Sequence, residues 1–268
     1  MYGAILGDMI GAPYKFDKVK KTKDFPLFSR ESQFTDGTVM TIAVTEALME
    51  VSVEMPKEEI CEKISSSMRG WGRNYPDAGY GPHFLGWLNA RSPKPYGSYG
   101  NGSAMRVSSV GWLYQDLEET RQMANLTAVI THNHPEGLKG AEATASAIYL
   151  ARTGHLKSEI KRYIVQNFGY NLSLTCDQIR PTYIHVESCQ ETVPQAITAF
   201  LEGKGFEDVI RTAVSLGGDT LTCIAGSMAE AYYGVPEELK KACRSLLTKD
   251  MLQVLDRFEK VRMVRAAG

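Results

Sequence analysis

Two short acidic turns hold the residues best suited to chemistry in this chain. One is Phe34-Thr35-Asp36-Gly37-Thr38 and the other is Gly217-Gly218-Asp219-Thr220, and each leads into an apolar run of helical character. Each turn offers a carboxylate beside hydroxyls, the hard oxygen donors that Mg²⁺ takes while water completes its octahedron. The same residue types also begin helices, because Ser, Thr and Asp side chains satisfy the free N–H groups of a first turn. Gly217 and Gly218 read two ways as well, as the cap of a preceding helix or as a bend that brings backbone close to a ligand. For each turn taken alone, both readings stand.

A third stretch, Gly97-Ser98-Tyr99-Gly100-Asn101-Gly102-Ser103, precedes a helix start at Ala104-Met105-Arg106. Small residues ahead of a helix let several N–H groups converge, which suits a phosphate. Arg106 either adds positive charge there or braces an acid. His132 and His134 flank Asn133. With no strand to align them, they make no paired metal set; one is expected to face the pocket and the other solvent. Tyr80 and Tyr99 sit in glycine-rich loops and are expected to touch a ligand. Trp71, Trp87 and Trp112 are expected in the core or the pocket wall.

Apolar periodicity implies a succession of about ten helices that would position these groups. They are expected over 38–53, 57–70, 104–114, 117–131, 135–151, 157–168, 190–201, 206–216, 221–233, 236–247 and 251–264. Pro56 with Glu58 and Glu59 marks one helix start, and Asp116 caps another. The stretches 8–34 and 74–101 read as irregular, the first Lys-rich and exposed, the second rich in Tyr, Pro and Gly. Tyr183-Ile184-His185-Val186 could extend, but has no repeated strand partner. Helices joined by short connections argue for an all-α fold: a single-domain orthogonal multi-helix bundle, residues 1–268, with a central cleft.

The chain has 268 residues, 43% of them hydrophobic and 23% charged, with a net charge of −1. That balance gives no electrostatic reason to expect nucleic acid or an anionic membrane as a partner. Charged residues interrupt every apolar stretch before it reaches a membrane span, and the first residues lack a basic leader. The five cysteines are scattered, without a CxxC pair. They fit reduced thiols in a cytoplasmic protein.

Taken in order, these stretches resemble the ADP-ribosylglycohydrolase family, whose bacterial founder removes ADP-ribose from nitrogenase reductase. The resemblance rests on Gly3-Ala-Ile-Leu-Gly-Asp8-Met-Ile-Gly11-Ala-Pro-Tyr14, Phe34 to Thr41, Gly100 to Arg106, Thr131-His132 with Gly140-Ala141, Ser215 to Thr220, Ile224-Ala-Gly and Ala231-Tyr-Tyr-Gly234. It covers essentially the whole chain. It implies an all-α fold holding two Mg²⁺ or Mn²⁺ ions in a central cleft, and hydrolysis at the anomeric carbon of ADP-ribose on a protein side chain. Metal ligation would fall to Thr35, Asp36, Asp219 and Thr220. Ser98, Tyr99, Gly100, Asn101 and Gly102 would hold the phosphates and distal ribose, and His132 would line the cleft.

Three departures from the family pattern bear on activity. The family's Thr-Asp-Asp-Thr has Gly37 in place of its second Asp. Its Gly-Gly-Asp-x-Asp-Thr keeps one Asp. Lys15 stands where a Glu usually follows Gly-x-x-Tyr. Two divalent ions about 4 Å apart need dense anionic compensation, and each lost carboxylate removes a ligand and a charge. The expectation is at most one weakly held ion at Asp36 and Asp219, with Lys15 free to contact an anion. The leading function is therefore binding of ADP-ribose, or a related nucleotide or modified protein, by a monomer with hydrolysis weak or lost. One alternative is an active hydrolase with an altered or mononuclear centre. Asp36 and Asp219 would then be catalytic, with a further acid recruited from Asp8, Asp77 or Glu136. Another is a non-catalytic interaction protein. Asp8 is expected to serve the first helix structurally.

Overall fold

A helix with no polar face must be buried on every side, and the first helix, α1 (Tyr2–Gly11), is buried along all ten residues. The computed structural model describes residues 1–17 and 22–267. After α1 and a 3₁₀ segment (Ala12–Asp17) come α2 (Asp36–Leu48), α3 (Lys57–Asn74), α4 (Pro82–Asn89), α5 (Gly102–Met105), α6 (Val110–Leu113), α7 (Leu117–Val129) and α8 (Pro135–Arg152). The second half contains α9 (Lys157–Phe168), α10 (Cys176–Ile179), α11 (Cys189–Glu202), α12 (Phe206–Leu216), α13 (Asp219–Tyr233), α14 (Glu237–Leu246) and α15 (Lys249–Ala267). The fold is all-α. Among the described residues the one β-type pairing is an isolated bridge between Gly100 and Ser188.

The central helix pair is α1 against α13. At Gly7 the backbones meet so closely that a Cβ would lie 2.2 Å from the Thr222 carbonyl oxygen. Only a glycine allows that approach, and it sets Asp8 on α1 beside Asp219 at the start of α13. Helix α2 packs on α1 and α3, which brings Asp36 to the same place from a third direction. Around this nucleus one continuous apolar core runs from Met1 to Phe258.

Helices α9 and α12 match their expected limits. More helices form than the ten or so expected: among the described residues there are fifteen α-helices. The 74–101 stretch is not irregular throughout, because α4 begins with Pro82 in its first turn, where a fixed φ and a missing N–H carry no cost. The expected 104–114 helix is two short turns, α5 and α6. The 8–34 stretch starts inside α1, and its Lys-rich segment 18–21 lies outside the described residues. All five cysteines are free and four are buried. No helix among the described residues is long and apolar enough to cross a membrane.

Overpacking the α1–α13 contact should be costly. Gly7→Ala is expected to lower stability by about 1–3 kcal/mol or more, read as a fall in the urea midpoint at unchanged slope.

Candidate active site

Three carboxylates meet where α1, α2 and α13 converge, and each has a different environment. Asp8 is fully buried. Its Oδ2 accepts from the Thr35 N–H (2.8 Å), the Thr38 N–H (3.0 Å) and the Thr38 hydroxyl (2.6 Å). Its Oδ1 accepts from the Thr35 hydroxyl. Asp8 thus caps α2 in place of a local side chain, with all four of its hydrogen bonds coming from Thr35 and Thr38. It is the structural partner expected from the sequence, although the helix it caps is α2.

Asp219 is buried at the start of α13, behind Gly218, whose φ of 64° supplies the left-handed bend. Its Oδ1 accepts from the Thr220 N–H at 2.8 Å. Its Oδ2 is paired with the Lys15 ammonium. Lys15 Nζ also lies 3.8 Å from Asp36 Oδ1, so one cation serves two carboxylates. Thr35 Oγ1 lies 3.2 Å from Asp219 Oδ2 and 3.3 Å from Asp36 Oδ1, but its single proton is engaged by Asp8. Asp36 retains some exposure, with 21% of its side chain accessible. Burial, opposed by Lys15 and reinforced by Asp8, pushes its carboxyl up to about 7.

A pair of divalent ions does not fit these residues. Lys15 already holds the space between Asp219 and Asp36, and Asp8 is committed to Thr35 and Thr38 through four hydrogen bonds. At Gly37 a Cβ would fall 2.6 Å from Asp8 Oδ1, so a second Asp in that turn would collide with the carboxylate that caps α2. Thr35 Oγ1 is engaged by Asp8, and Thr220 Oγ1 lies 3.5 Å from Met105 Sδ. Among the described residues, no group of three or more His, Cys, Asp or Glu is disposed to hold a metal ion. The other acids weighed from the sequence do not enter. Asp77 is exposed, and Glu136 pairs with Lys139 at 2.7 Å.

The glycine-rich loop is built differently from the expected cradle. The Gly97 N–H is bonded to Asn133 Oδ1 (2.7 Å), the Gly100 N–H to Ser98 Oγ (3.1 Å) and the Asn101 N–H to the Glu187 carbonyl (2.7 Å). Those three donors hold the loop to itself and to its neighbours. The Asn101 amide donates to Val186 O (3.3 Å) and Thr192 Oγ1 (3.0 Å). The residues at 186–192 are partners that no local pattern revealed. Tyr99 is 53% exposed, with its ring 5.4 Å from that of His134. Tyr80, expected at a ligand, is instead buried beside Phe84.

His132 and His134 differ in environment, one buried and one exposed. His134 is exposed and its Nδ1 caps α8 by accepting from the Glu136 N–H at 3.1 Å. His132 is buried, with Nε2 directed at Gly100 and Gly102; a Cβ on those glycines would stand 3.4 and 3.5 Å from it. Among the described residues Arg106 braces no acid. It is buried, and burial brings its guanidinium down to about 10. Beside the acids lies a small cavity of about 20 Å³, lined by Asn101, Thr192, Gly218 and Asp219 among others, room for a single water.

The model of the family described as ADP-ribosylglycohydrolase matches residues 1–267. The chain belongs to that family. Among similar proteins are the ADP-ribosylhydrolase ARH3 of Mus musculus, 27% identical with 93% of this chain and 88% of that protein covered, and the ADP-ribosylhydrolase ARH3 of Homo sapiens, also 27% identical with 93% and 89% covered. A solved structure titled ADP-ribosylglycohydrolase-related protein complex superposes with a TM-score of 0.68 at 20% identity, covering 98% of this chain and 93% of that one. That likeness is one of fold.

Two tests follow from the acid cluster. Ions that bind only the folded state raise its melting temperature, so Mn²⁺ should leave the wild type unmoved and stabilise Lys15→Glu; a marked rise in the wild type would contradict the geometry. The second concerns pH. A carboxyl that titrates near 7 when folded and near 3.8 when unfolded binds its proton more tightly in the folded state between those values. Its contribution therefore makes stability fall as pH rises across that window. Asp36→Asn should flatten that slope in denaturation curves taken from pH 4 to 8.

Proposed function

We propose that this chain binds ADP-ribose or a closely related nucleotide without divalent ions, and that metal-dependent hydrolysis is weak or absent. The observation that carries this reading is the Lys15 ammonium set between Asp219 and Asp36. A lysine there supplies internally the positive charge that bound ions would otherwise bring, and it repels any ion that approaches. Its charge is already balanced by the two aspartates, so Lys15 acts as a counter-ion and not as a contact to a ligand's phosphate.

Ser98, Tyr99, Gly100, Asn101, Gly102 and His132 form the proposed binding surface for the diphosphate and distal ribose. The names of the ARH3 relatives support ADP-ribose as the ligand class. Tyr99 offers an exposed ring and hydroxyl at the rim, and His132 a ring nitrogen at the floor. Of the two aspartates proposed as catalytic, Asp219 is held by the lysine. Asp36, with its carboxyl raised to about 7, is the group able to take a proton from water near neutral pH, so any residual hydrolysis runs through it. The whole chain, 1–268, is proposed to act as one monomeric unit in the cytoplasm, with no nucleic-acid partner. The net charge of −1 and five free cysteines support this.

Calorimetry with ADP-ribose tests the reading. Binding should be unchanged between EDTA and Mn²⁺, and it should weaken by about tenfold in His132→Ala, the loss of roughly one hydrogen bond. ADP-ribosyl-arginine and ADP-ribosyl-serine peptides should remain intact with added Mn²⁺. Rapid turnover stimulated by the metal would overturn the proposal.

A further inference from the structure

A buried arginine with no acidic partner among the described residues, a threonine hydroxyl and a buried histidine lie in line behind the Gly100–Gly102 turn. Arg106 is 1% exposed. Its Nη2 donates to the Thr127 carbonyl (3.0 Å) and to Thr131 Oγ1 (2.8 Å), while its Nε has no partner among the described residues. Thr131 is fully buried, and its Oγ1 stands 2.6 Å from His132 Nδ1. On the far side of the ring, Nε2 faces Gly100 and Gly102.

The direction of each proton follows from what each group can do. A guanidinium only donates, so Thr131 Oγ1 accepts from Arg106. The threonine's single proton then has two possible acceptors, His132 Nδ1 at 2.6 Å and the Ala128 carbonyl at 3.5 Å. The second distance is at the outer limit of a hydrogen bond and the first is close to ideal. The proton therefore goes to Nδ1, which must be bare, and the ring proton resides on Nε2. A doubly protonated ring is opposed by burial and by the nearby guanidinium, which both lower the ring's affinity for a second proton.

We propose that Arg106 and Thr131 are positioning residues that order the protons behind His132 and hold it as the Nε2–H tautomer, so that the turn at Gly100–Gly102 receives a fixed hydrogen-bond donor. The consequence is chemical selectivity. The ligand group seated on this turn is an acceptor, such as a phosphate oxygen, and a group that only donates is rejected because it meets N–H against N–H. The loop's own N–H groups at Gly97, Gly100 and Asn101 are engaged internally, which makes the histidine donor more consequential. The charge of Arg106, one side chain behind, favours the same anionic oxygen. The inference rests on the ADP-ribose reading for the ligand, but not for the tautomer.

The test is nitrogen-15 NMR of the histidine rings in the full, ligand-free chain, with the His132 signals assigned by their absence in His132→Gln. The wild type should show a protonated Nε2 and a bare Nδ1. Thr131→Val, which removes the hydroxyl at similar volume, should shift His132 toward the other tautomer, and Thr131→Ser should restore it. ADP-ribose affinity should fall about tenfold in the valine variant and recover in the serine variant, one hydrogen bond's worth of binding. A wild-type ring protonated on Nδ1, or a valine variant with an unchanged tautomer, overturns the proposal. If Thr131→Val fails to fold, the wild-type and serine spectra still decide it. Failure of ADP-ribose to bind the wild type would defeat the reading of the cleft and leave the tautomer result standing.

Discussion

Carboxylates brought together in a poorly hydrated cleft need positive charge close by, because the interior screens their mutual repulsion far less than water does. In this chain that charge is covalently attached. Lys15 reaches the Asp219 carboxylate and stands 3.8 Å from that of Asp36, while Asp8 is satisfied separately by the hydroxyls and N–H groups of Thr35 and Thr38. The protein thus supplies a counter-charge for the Asp36 and Asp219 pair and neutral donors for Asp8. The α1–α13 crossing, the α2 cap and the bend at Gly218 all serve to bring these groups to one point.

Loss of the second acid in the first turn and gain of the lysine are linked by space as well as by charge. Position 37 is pressed against Asp8, so a side chain there would unseat the cap of α2. With glycine, Asp8 keeps its four hydrogen bonds and α2 begins where Asp36 can meet Lys15. The family's scaffold is thus retained while its acidic site is incomplete, and the loop at 97–103 persists as a separate feature tied to 186–192 by backbone and amide hydrogen bonds.

Much of this was legible in the chain because it is local. The limits of α9 and α12 follow from apolar spacing and end signals within each segment, and the acidic turns announced themselves as helix starts. Helix α4 was obscured because its Pro, Gly and aromatic residues read as loop, although Pro82 marks its first turn. What escaped the sequence is what depends on distant partners. The N–H of Asn101 is taken by Glu187, Arg106 reaches Thr131 and not an acid, and Lys15 finds Asp219 more than two hundred residues away. Motif resemblance located these positions without indicating which atoms they would bond.

In the proposed reading a lysine ammonium, and not a pair of divalent ions, provides the counter-charge for Asp219 and Asp36. Crystals grown with Mn²⁺ and measured at the manganese absorption edge test it most directly. No anomalous peak is expected between Asp36 and Asp219, with the Lys15 side chain seated on the Asp219 carboxylate. Two well-occupied manganese peaks there, with Lys15 turned away, would contradict it.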